Sequence, residues 1–505
     1  MKKMNIKKRF KFILIIVFLS LLTISCNTKK EKVGADKIDV KKPNILFLLT
    51  DDHSFNTINA LGNKEVFTPN IDRLVDAGTA FTHAHIMGGN TGAICMPSRA
   101  MIMTSNFVNR LDYTAAGAIG PNEVTLPQTL KNAGYETFGT GKWHNNPPAF
   151  AKSFTDGGNI FMGGMSNHLK VPIHDFDETG KYKKDKAYIT NTFSSVLFSD
   201  AAINKLKTYK KEDPFFMYVA FSSPHDPRMA PEEYTNKYKT EDISLPKNFM
   251  PGHPFDNGEL IIRDENLLPF PRTEDAVKGE IASYYAMISE VDANIGRILD
   301  ALEESGKADN TIVILAGDNG LAVGQHGLIG KQNLYDHSIR VPLIFKGPGI
   351  QKGVRTSSLV YLNDLYPTIT ELVGVENPKA LDGTSLVPIL NKPNKKVRES
   401  VFYLYKNFQR GVRTKDWKLI QYLVKGKKTT QLFKIDEDPL EMNNLAYNPE
   451  YKEKVLEMNV LLKEWIEKSG DKVNLDAPDW GVPVIKSWET TRREQGKSLD
   501  FKGGH

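Results

Sequence analysis

Four apolar runs constrain this chain more than any other feature. Asn44-Ile-Leu-Phe-Leu-Leu49 shows no alternation of polar and apolar side chains, the pattern of a strand buried on both faces of a parallel sheet. Pro214 to Phe221, Thr311 to Ala316 and Val341 to Phe345 read the same way. Helical patterns lie between them. Thr68-Pro69 starts one, with Thr as N-cap and Pro in the first turn, and Gly78 ends it. Ile281, Ile288, Ile295, Ile298 and Leu302 recur at helical spacing within a second, from Gly279 to Ser305. Strands alternating with helices predict an α/β domain with a mostly parallel sheet flanked by helices, over residues 43–395. The texture then changes. Val401 to Leu404, Gln409 to Thr414, Trp417 to Leu423 and Thr430 to Lys434 are strand-like runs with no helix between, followed by a helix from Pro449 to Ser469. This predicts a smaller C-terminal α+β subdomain with an antiparallel sheet and a tail, 396–505. Trp480 and Trp488 are candidate anchors in that tail.

The N-terminus reads as an export signal. A basic stretch precedes Phe12 to Ile24, which is apolar apart from Ser20 and Thr23. It is too short for a typical bilayer-spanning helix and fits a secretory signal. The run stops at Leu22-Thr23-Ile24-Ser25-Cys26. This resembles a bacterial lipobox, with Thr23 where Leu is usual. It implies that residues 1–26 are a lipoprotein signal and that Cys26 is lipidated. The polar, Lys-rich residues 27–42 are then a tether, and the mature protein sits on the outer membrane or cell surface, or in the periplasm.

The net charge of +6 is carried by that signal: the first 26 residues hold six basic residues and no acid, leaving 60 basic against 60 acidic. No basic surplus remains for a nucleic-acid partner. The cysteines are Cys26 and Cys95. If Cys26 carries lipid, Cys95 has no disulfide partner and needs another explanation.

In open α/β sheets, chemistry gathers beyond the carboxyl ends of the strands. Thr50-Asp51-Asp52-His53 follows the first apolar run and Gly317-Asp318-Asn319-Gly320 the third. Ser222-Ser223-Pro224-His225 follows the second, and Gly141-Lys142-Trp143-His144 follows a short stretch at Glu136-Thr137-Phe138. Asp51, Asp52, Asp318 and Asn319 are hard oxygen donors, suited to Ca²⁺ or Mg²⁺. One such Asp alone reads as a helix cap. Two pairs on separate strands point to a cation, because clustered carboxylates otherwise repel.

Cys95-Met96-Pro97-Ser98-Arg99, followed by a short apolar helix with Ala100 and Thr104, resembles the signature of the type I sulfatases, whose Cys is oxidised to formylglycine. The resemblance continues in order through Asn44 to Asp52, Gly139 to His144, Ser223-Pro224-His225, Gly317 to Gly320, Lys331 in Gly330-Lys331-Gln332-Asn333, and Leu432 to Leu445. It implies an alkaline-phosphatase-like fold and a sulfuric ester hydrolase. It also implies one Ca²⁺ (Mg²⁺ less so) on Asp51, Asp52, Asp318, Asn319 and position 95, and a formylglycine-generating maturation enzyme as partner. In the implied mechanism Lys142 and Lys331 neutralise the sulfate, Arg99 orients the hydrated aldehyde, His225 and Lys331 donate protons, and His144 accepts one. The export signal extends this to a sulfated glycan as substrate, such as an algal polysaccharide or a glycosaminoglycan. His326 and His337, which flank Lys331, and His168, Arg228, Arg263 and Arg272 in the long segments between motifs, are candidate substrate contacts. Two alternatives stand beside this reading: a phosphodiesterase- or phosphonate-type hydrolase of the same superfold, and a glycan-binding lipoprotein without catalysis. The second is disfavoured because Cys95, Lys142 and all the acids are present.

Overall fold

The computed structural model describes residues 42–114 and 117–481. The signal, Cys26, nearly all of the tether and Trp488 lie outside the described residues. The chain divides into one unit at Met1–Lys41 and a second from Lys42 onward, and the second is described here. None of its helices is long and apolar enough to cross a membrane.

An eight-stranded sheet forms the centre. Its spatial order is Val354–Thr356, Thr79–Phe81, Leu343–Lys346, Thr311–Gly317, Asn44–Thr50, Phe215–Ala220, Glu136–Lys142 and Asp156–Phe161. The central pairings are parallel: Asn44–Thr50 lies between Phe215–Ala220 and Thr311–Gly317. The expected strand at Val341 to Phe345 is real but differs in two ways. Leu343–Lys346 runs antiparallel to both neighbours, and Arg340–Val341 belongs to a separate three-stranded sheet, with Pro342 between them. A strand covered on both faces is apolar in either direction, so composition could not report its sense.

The first strand explains its own sequence. Ile45, Phe47 and Leu49 enter one core, with Ile102, Met103 and Leu365. Leu46 and Leu48 enter the other, with Phe198, Ile295 and Ile298. Each fully buried large side chain contributes about 1.5–3 kcal/mol by removal from water. Helices cover both faces. Pro69–Asp76 starts with Pro in its first turn, but Thr68 does not cap it; the Thr68 hydroxyl instead donates to Asp72 and accepts from the Asn59 N–H. The long helix runs Glu274–Glu304, beginning before Gly279 because Thr273 caps it.

The second sheet has the order Lys427–Lys434, Trp417–Val424, Gln409–Thr414, Ser400–Tyr405, Gly88–Gly89. Its four long strands are antiparallel. Its edge strand comes from residues 88–89, just before Cys95, and runs parallel to Ser400–Tyr405. The C-terminal sheet is thereby tied to the segment that carries the nucleophile motif. The helix Lys452–Ser469 packs on it through Trp465, which stacks on Phe402 and donates to Ser400 Oγ at 2.8 Å. Trp480 is fully buried, with Arg410 over its ring.

Candidate functional site

Three strand ends are stitched together by backbone hydrogen bonds beyond the regular ladder. Asp51 N–H donates to Ser223 O at 3.1 Å, and Asp318 N–H to Thr50 O at 2.9 Å. These bonds set Asp51, Asp52, Asp318, Asn319 and His225 side by side. Lys142 is the last residue of its strand, and Cys95 is the first residue of the helix Cys95–Thr104. Position 95 therefore sits at the positive end of a helix dipole. Asp52 and His144 have left-handed backbones, with φ of 59° and 52°, a conformation costly for non-glycine residues and concentrated at functional sites. Gly164 makes room for His144: a Cβ there would lie 2.3 Å from its Nε2.

The acidic cluster fits a cation. Oxygen and sulfur atoms of Asp51, Asp318 and Cys95 lie within 4.8 Å of one another, as do donor atoms of Asp51, Asp52 and His225. Asp51 Oδ1 and Asn319 Oδ1 are buried without a hydrogen-bond partner. Burial, reinforced by the charge of Asp318, raises the Asp51 carboxyl to about 6. Two orphaned oxygens and a disfavoured buried anion are what a divalent ion would relieve. Burial would also raise Asp52, but the charges of Lys331 and His225 hold it below the usual carboxylate range.

Around this cluster, Lys142 Nζ donates to Asp51 Oδ2 and Lys331 Nζ to Asp52 Oδ1 at 2.5 Å. The two ammonium groups lie 3.7 and 4.0 Å from Cys95 Sγ. Asn319 Nδ2 reaches Asp52 Oδ1 at 2.7 Å. Arg99 is held by two hydrogen bonds. Its Nε donates to Asp318 Oδ2 at 2.8 Å and its Nη1 to the Lys142 carbonyl at 2.6 Å. It anchors an acid and a strand end, and its Nη2 is buried without a hydrogen-bond partner, 3.8 Å from Asp51 Oδ2. Ser98 Oγ adds a bond to Asp318 O at 2.5 Å.

Protonation states divide the roles. Burial pushes the Cys95 thiol up to about 11, so as a thiol it is a poor nucleophile. Burial and the charges of Lys142 and Arg99 hold His144 well below its ordinary value. Its Nδ1 lies 3.3 Å from Cys95 Sγ, within reach of a proton on that residue. Burial also lowers His225. Its Nδ1 faces the Asp226 carbonyl at 2.8 Å; a carbonyl only accepts, so Nδ1 carries the hydrogen and the neutral ring leaves Nε2 bare. Burial opposes ionisation of Lys331, yet Asp52 holds it well above its ordinary value, a protonated group throughout the neutral range.

These residues open into a cleft of 280 Å³ whose walls include Cys95, His144, His225, Lys331, Arg263 and Gln332. Five candidate substrate contacts lie outside this lining. His168 is buried behind the site, with Nδ1 on Ser194 Oγ and Nε2 on the His225 carbonyl. Arg228 donates to Pro224 O, lies near Glu280 and stacks over Tyr284. His326 bonds His337 and the Glu441 carbonyl and stacks on Tyr335. His337 borders a different cavity, of 520 Å³, beside Phe55, Asn248 and Arg340. Arg272 is buried against Glu265. Of the candidate substrate contacts, Arg263 lines the cleft. Asp264 and Gln332 beside it were missed, although Gln332 directly follows Lys331.

Comparisons with known proteins agree with this geometry. The family model "Sulfatase" matches residues 43–375, and "N-sulphoglucosamine sulphohydrolase, C-terminal" matches 324–468. The chain is 31% identical to a sulfatase of Formosa agariphila, covering 88% of this chain and 91% of that one. It is 29% identical to an N-acetylglucosamine-6-O-sulfatase of Bacteroides thetaiotaomicron, covering 88% and 90%. A solved structure of an enzyme in complex with D-glucosamine-2-N,6-O-disulfate superposes with a TM-score of 0.72 at 26% identity, covering 87% of this chain and all of that one. A phosphonate monoester hydrolase of Agrobacterium radiobacter gives a TM-score of 0.69 at 21% identity, covering 88% and 100%, a likeness of fold alone.

Proposed function

We propose, from the premise that this chain belongs to the sulfatase family and is a sulfuric ester hydrolase, that it removes sulfate from a sulfated carbohydrate, with residue 95 as nucleophile after oxidation to formylglycine. The observation that carries this reading is Cys95 itself, buried at a helix start between Lys142 and Lys331 and against the Asp51–Asp318 pair. A thiol held near 11 is inert there; hydrated formylglycine supplies an attacking hydroxyl instead. Asp51, Asp52, Asp318 and Asn319 would hold one Ca²⁺, which supplies positive charge to acidify that hydroxyl and polarise the sulfate.

The remaining roles follow from the chain's own residues. Lys142 and Lys331 face residue 95 from two sides and offset the negative charge of a bound sulfate. Lys331 is protonated and donates to the leaving alcohol. His225 joins it only as an imidazolium, since its neutral form presents a bare Nε2. His144 is neutral and takes the proton from residue 95 when sulfate is released. The relatives act on glycans by name, an N-acetylglucosamine-6-O-sulfatase and an ulvan-active sulfatase among them, and the export signal fits an enzyme that meets scavenged glycans. Cys26 lipidation and a formylglycine-generating enzyme complete the proposal.

The test is direct. Protein co-produced with a maturation enzyme should carry an aldehyde at residue 95 by tryptic mass spectrometry. It should release sulfate from an aryl sulfate and faster from a matched glycan fragment, and Cys95→Ala should release none. Turnover by Cys95→Ala equal to wild type would overturn the mechanism.

A further inference from the structure

The cleft has two chemically different ends. One is the sulfate-handling end, with Cys95, His144, His225 and Lys331. The other is a wall where the rest of the substrate must lie, and its only charged side chains among the described lining residues are Arg263 and Asp264. Arg263 is not free to bind an anion. It makes a two-pronged hydrogen-bonded pair with Asp226, at 2.5 and 3.0 Å, and an ion pair with Asp264 at 2.7 Å. One cation stands between two carboxylates, so the Asp226–Arg263–Asp264 group carries a net charge of −1, with Asp264 on the cleft lining and Asp226 behind it. The other arginines of the intervening segments are engaged elsewhere, Arg228 near Glu280 and Arg272 with Glu265.

Asp264 is held in place. Gln332 Nε2 donates to Asp264 Oδ2 at 2.6 Å and to Gly92 O at 2.9 Å, while its Oε1 accepts from the Lys331 N–H. Gln332 is therefore fully used and acts as a positioning residue. Asp264 is not: a carboxylate offers about four acceptor sites, of which the Gln332 hydrogen bond takes one on Oδ2 while the Arg263 ion pair lies against Oδ1. The remaining sites suit hydroxyl or amide N–H donors.

We propose that Asp264 is a specificity-determining residue that accepts hydrogen bonds from neutral groups on the sugar bearing the scissile sulfate, and that its carboxylate rejects a second sulfate or a carboxylate on that same sugar. This rests on the glycan reading above. It narrows the substrate to sugar residues carrying one sulfate and otherwise neutral substituents. Two like charges across a few ångströms of partly desolvated cleft disfavour binding by more than about tenfold.

The experiment uses matured, Ca²⁺-loaded wild type with matched pairs of sulfated mono- and disaccharides, sampled over several sulfate positions. Members of a pair differ only in a neutral or an anionic second substituent: N-acetyl against N-sulfate, or hydroxymethyl against carboxylate. Released sulfate gives kcat/KM. The neutral member should be preferred by about tenfold or more. In Asp264→Asn the neutral rate should fall and the preference should shrink by about tenfold; the ratio cancels any uniform loss of active protein. Should Asp264→Asn fail to fold, Met165→Lys, which adds a cation to the same cleft lining, should shrink the preference likewise. Equal or faster cleavage of the anionic members, or a ratio unmoved in the variants, overturns the proposal while leaving the glycan reading intact. Aryl sulfate cleaved with every sugar untouched overturns the glycan reading itself, and no sulfate released from any compound overturns the catalytic one.

Discussion

Arg99→Met is expected to lower stability and turnover together, although Arg99 hydrogen-bonds Asp318 and the Lys142 carbonyl and not residue 95. Arg99 and Asp318 are both essentially inaccessible to solvent. Truncating one partner of such a pair leaves an uncompensated charge and costs about 3–5 kcal/mol. The stranded Lys142 carbonyl adds about 1–3 kcal/mol, less than additively because both bonds belong to one side chain. A net loss near 4 kcal/mol is a fair working figure. At about 2.1 cal/mol/K per residue, about 440 ordered residues give an unfolding entropy near 0.9 kcal/mol/K, so Tm should drop by about 4 °C. Differential scanning calorimetry at fixed Ca²⁺ reads the shift, and kcat/KM on an aryl sulfate reads the chemistry. The rate should fall by about 100-fold or more, since both Asp318 and the end of the Lys142 strand lose their anchor. Arg99→Lys keeps the charge but not the fork, and should lie between the two. A variant with unchanged Tm and unchanged rate would refute the anchoring role.

Three further outcomes are expected. Chelation should abolish turnover, Ca²⁺ should restore it better than Zn²⁺ because the donors are oxygens, and Asp318→Ala should lower bound metal by elemental analysis; full activity in metal-free protein would reject the site. Cys26→Ser should move the protein from the membrane to the soluble fraction, because stable anchoring needs more than one acyl chain; wild type recovered as soluble after gentle lysis would refute lipidation. Burial raises Glu290, on the long helix, from 4.5 to about 8. The folded state then keeps a proton that the unfolded chain loses, so stability should fall as pH rises from 4.5 toward 8, and Glu290→Gln should flatten that segment of a Tm–pH profile.

The legible parts of this protein were those in which one residue type has one physical reason. Asn44 to Leu49 is apolar throughout because its alternate side chains feed two separate cores. The metal-type acids could be found because they follow buried strands directly. Strand direction at Leu343–Lys346 was not legible, since burial on both faces erases the difference between parallel and antiparallel. The start of the long helix was legible and misread: Thr273 followed by Glu274 and Asp275 is a capping signal, and the structure uses it.

The substrate contacts failed for a different reason. His168, Arg228, His326 and Arg272 were chosen as polar side chains beside or between motifs, but each bonds internal partners away from the cleft. A lone polar residue in a sequence does not announce whether its partners are internal. The wall that does face the cleft is built from Arg263, Asp264 and Gln332, residues nearly 70 positions apart that meet through one hydrogen bond of 2.6 Å. Its meaning lies in the pairing: Arg263 alone reads as a site for anions, whereas Arg263 between Asp226 and Asp264 reads as a surface that turns a second anion away. The reaction type is carried by residues that directly follow buried strands and by short motifs, which the sequence marks wherever those strands lie in the sheet. The proposed choice of sugar rests on contacts between loops, where the sign of the local charge depends on partners that only the folded chain brings together.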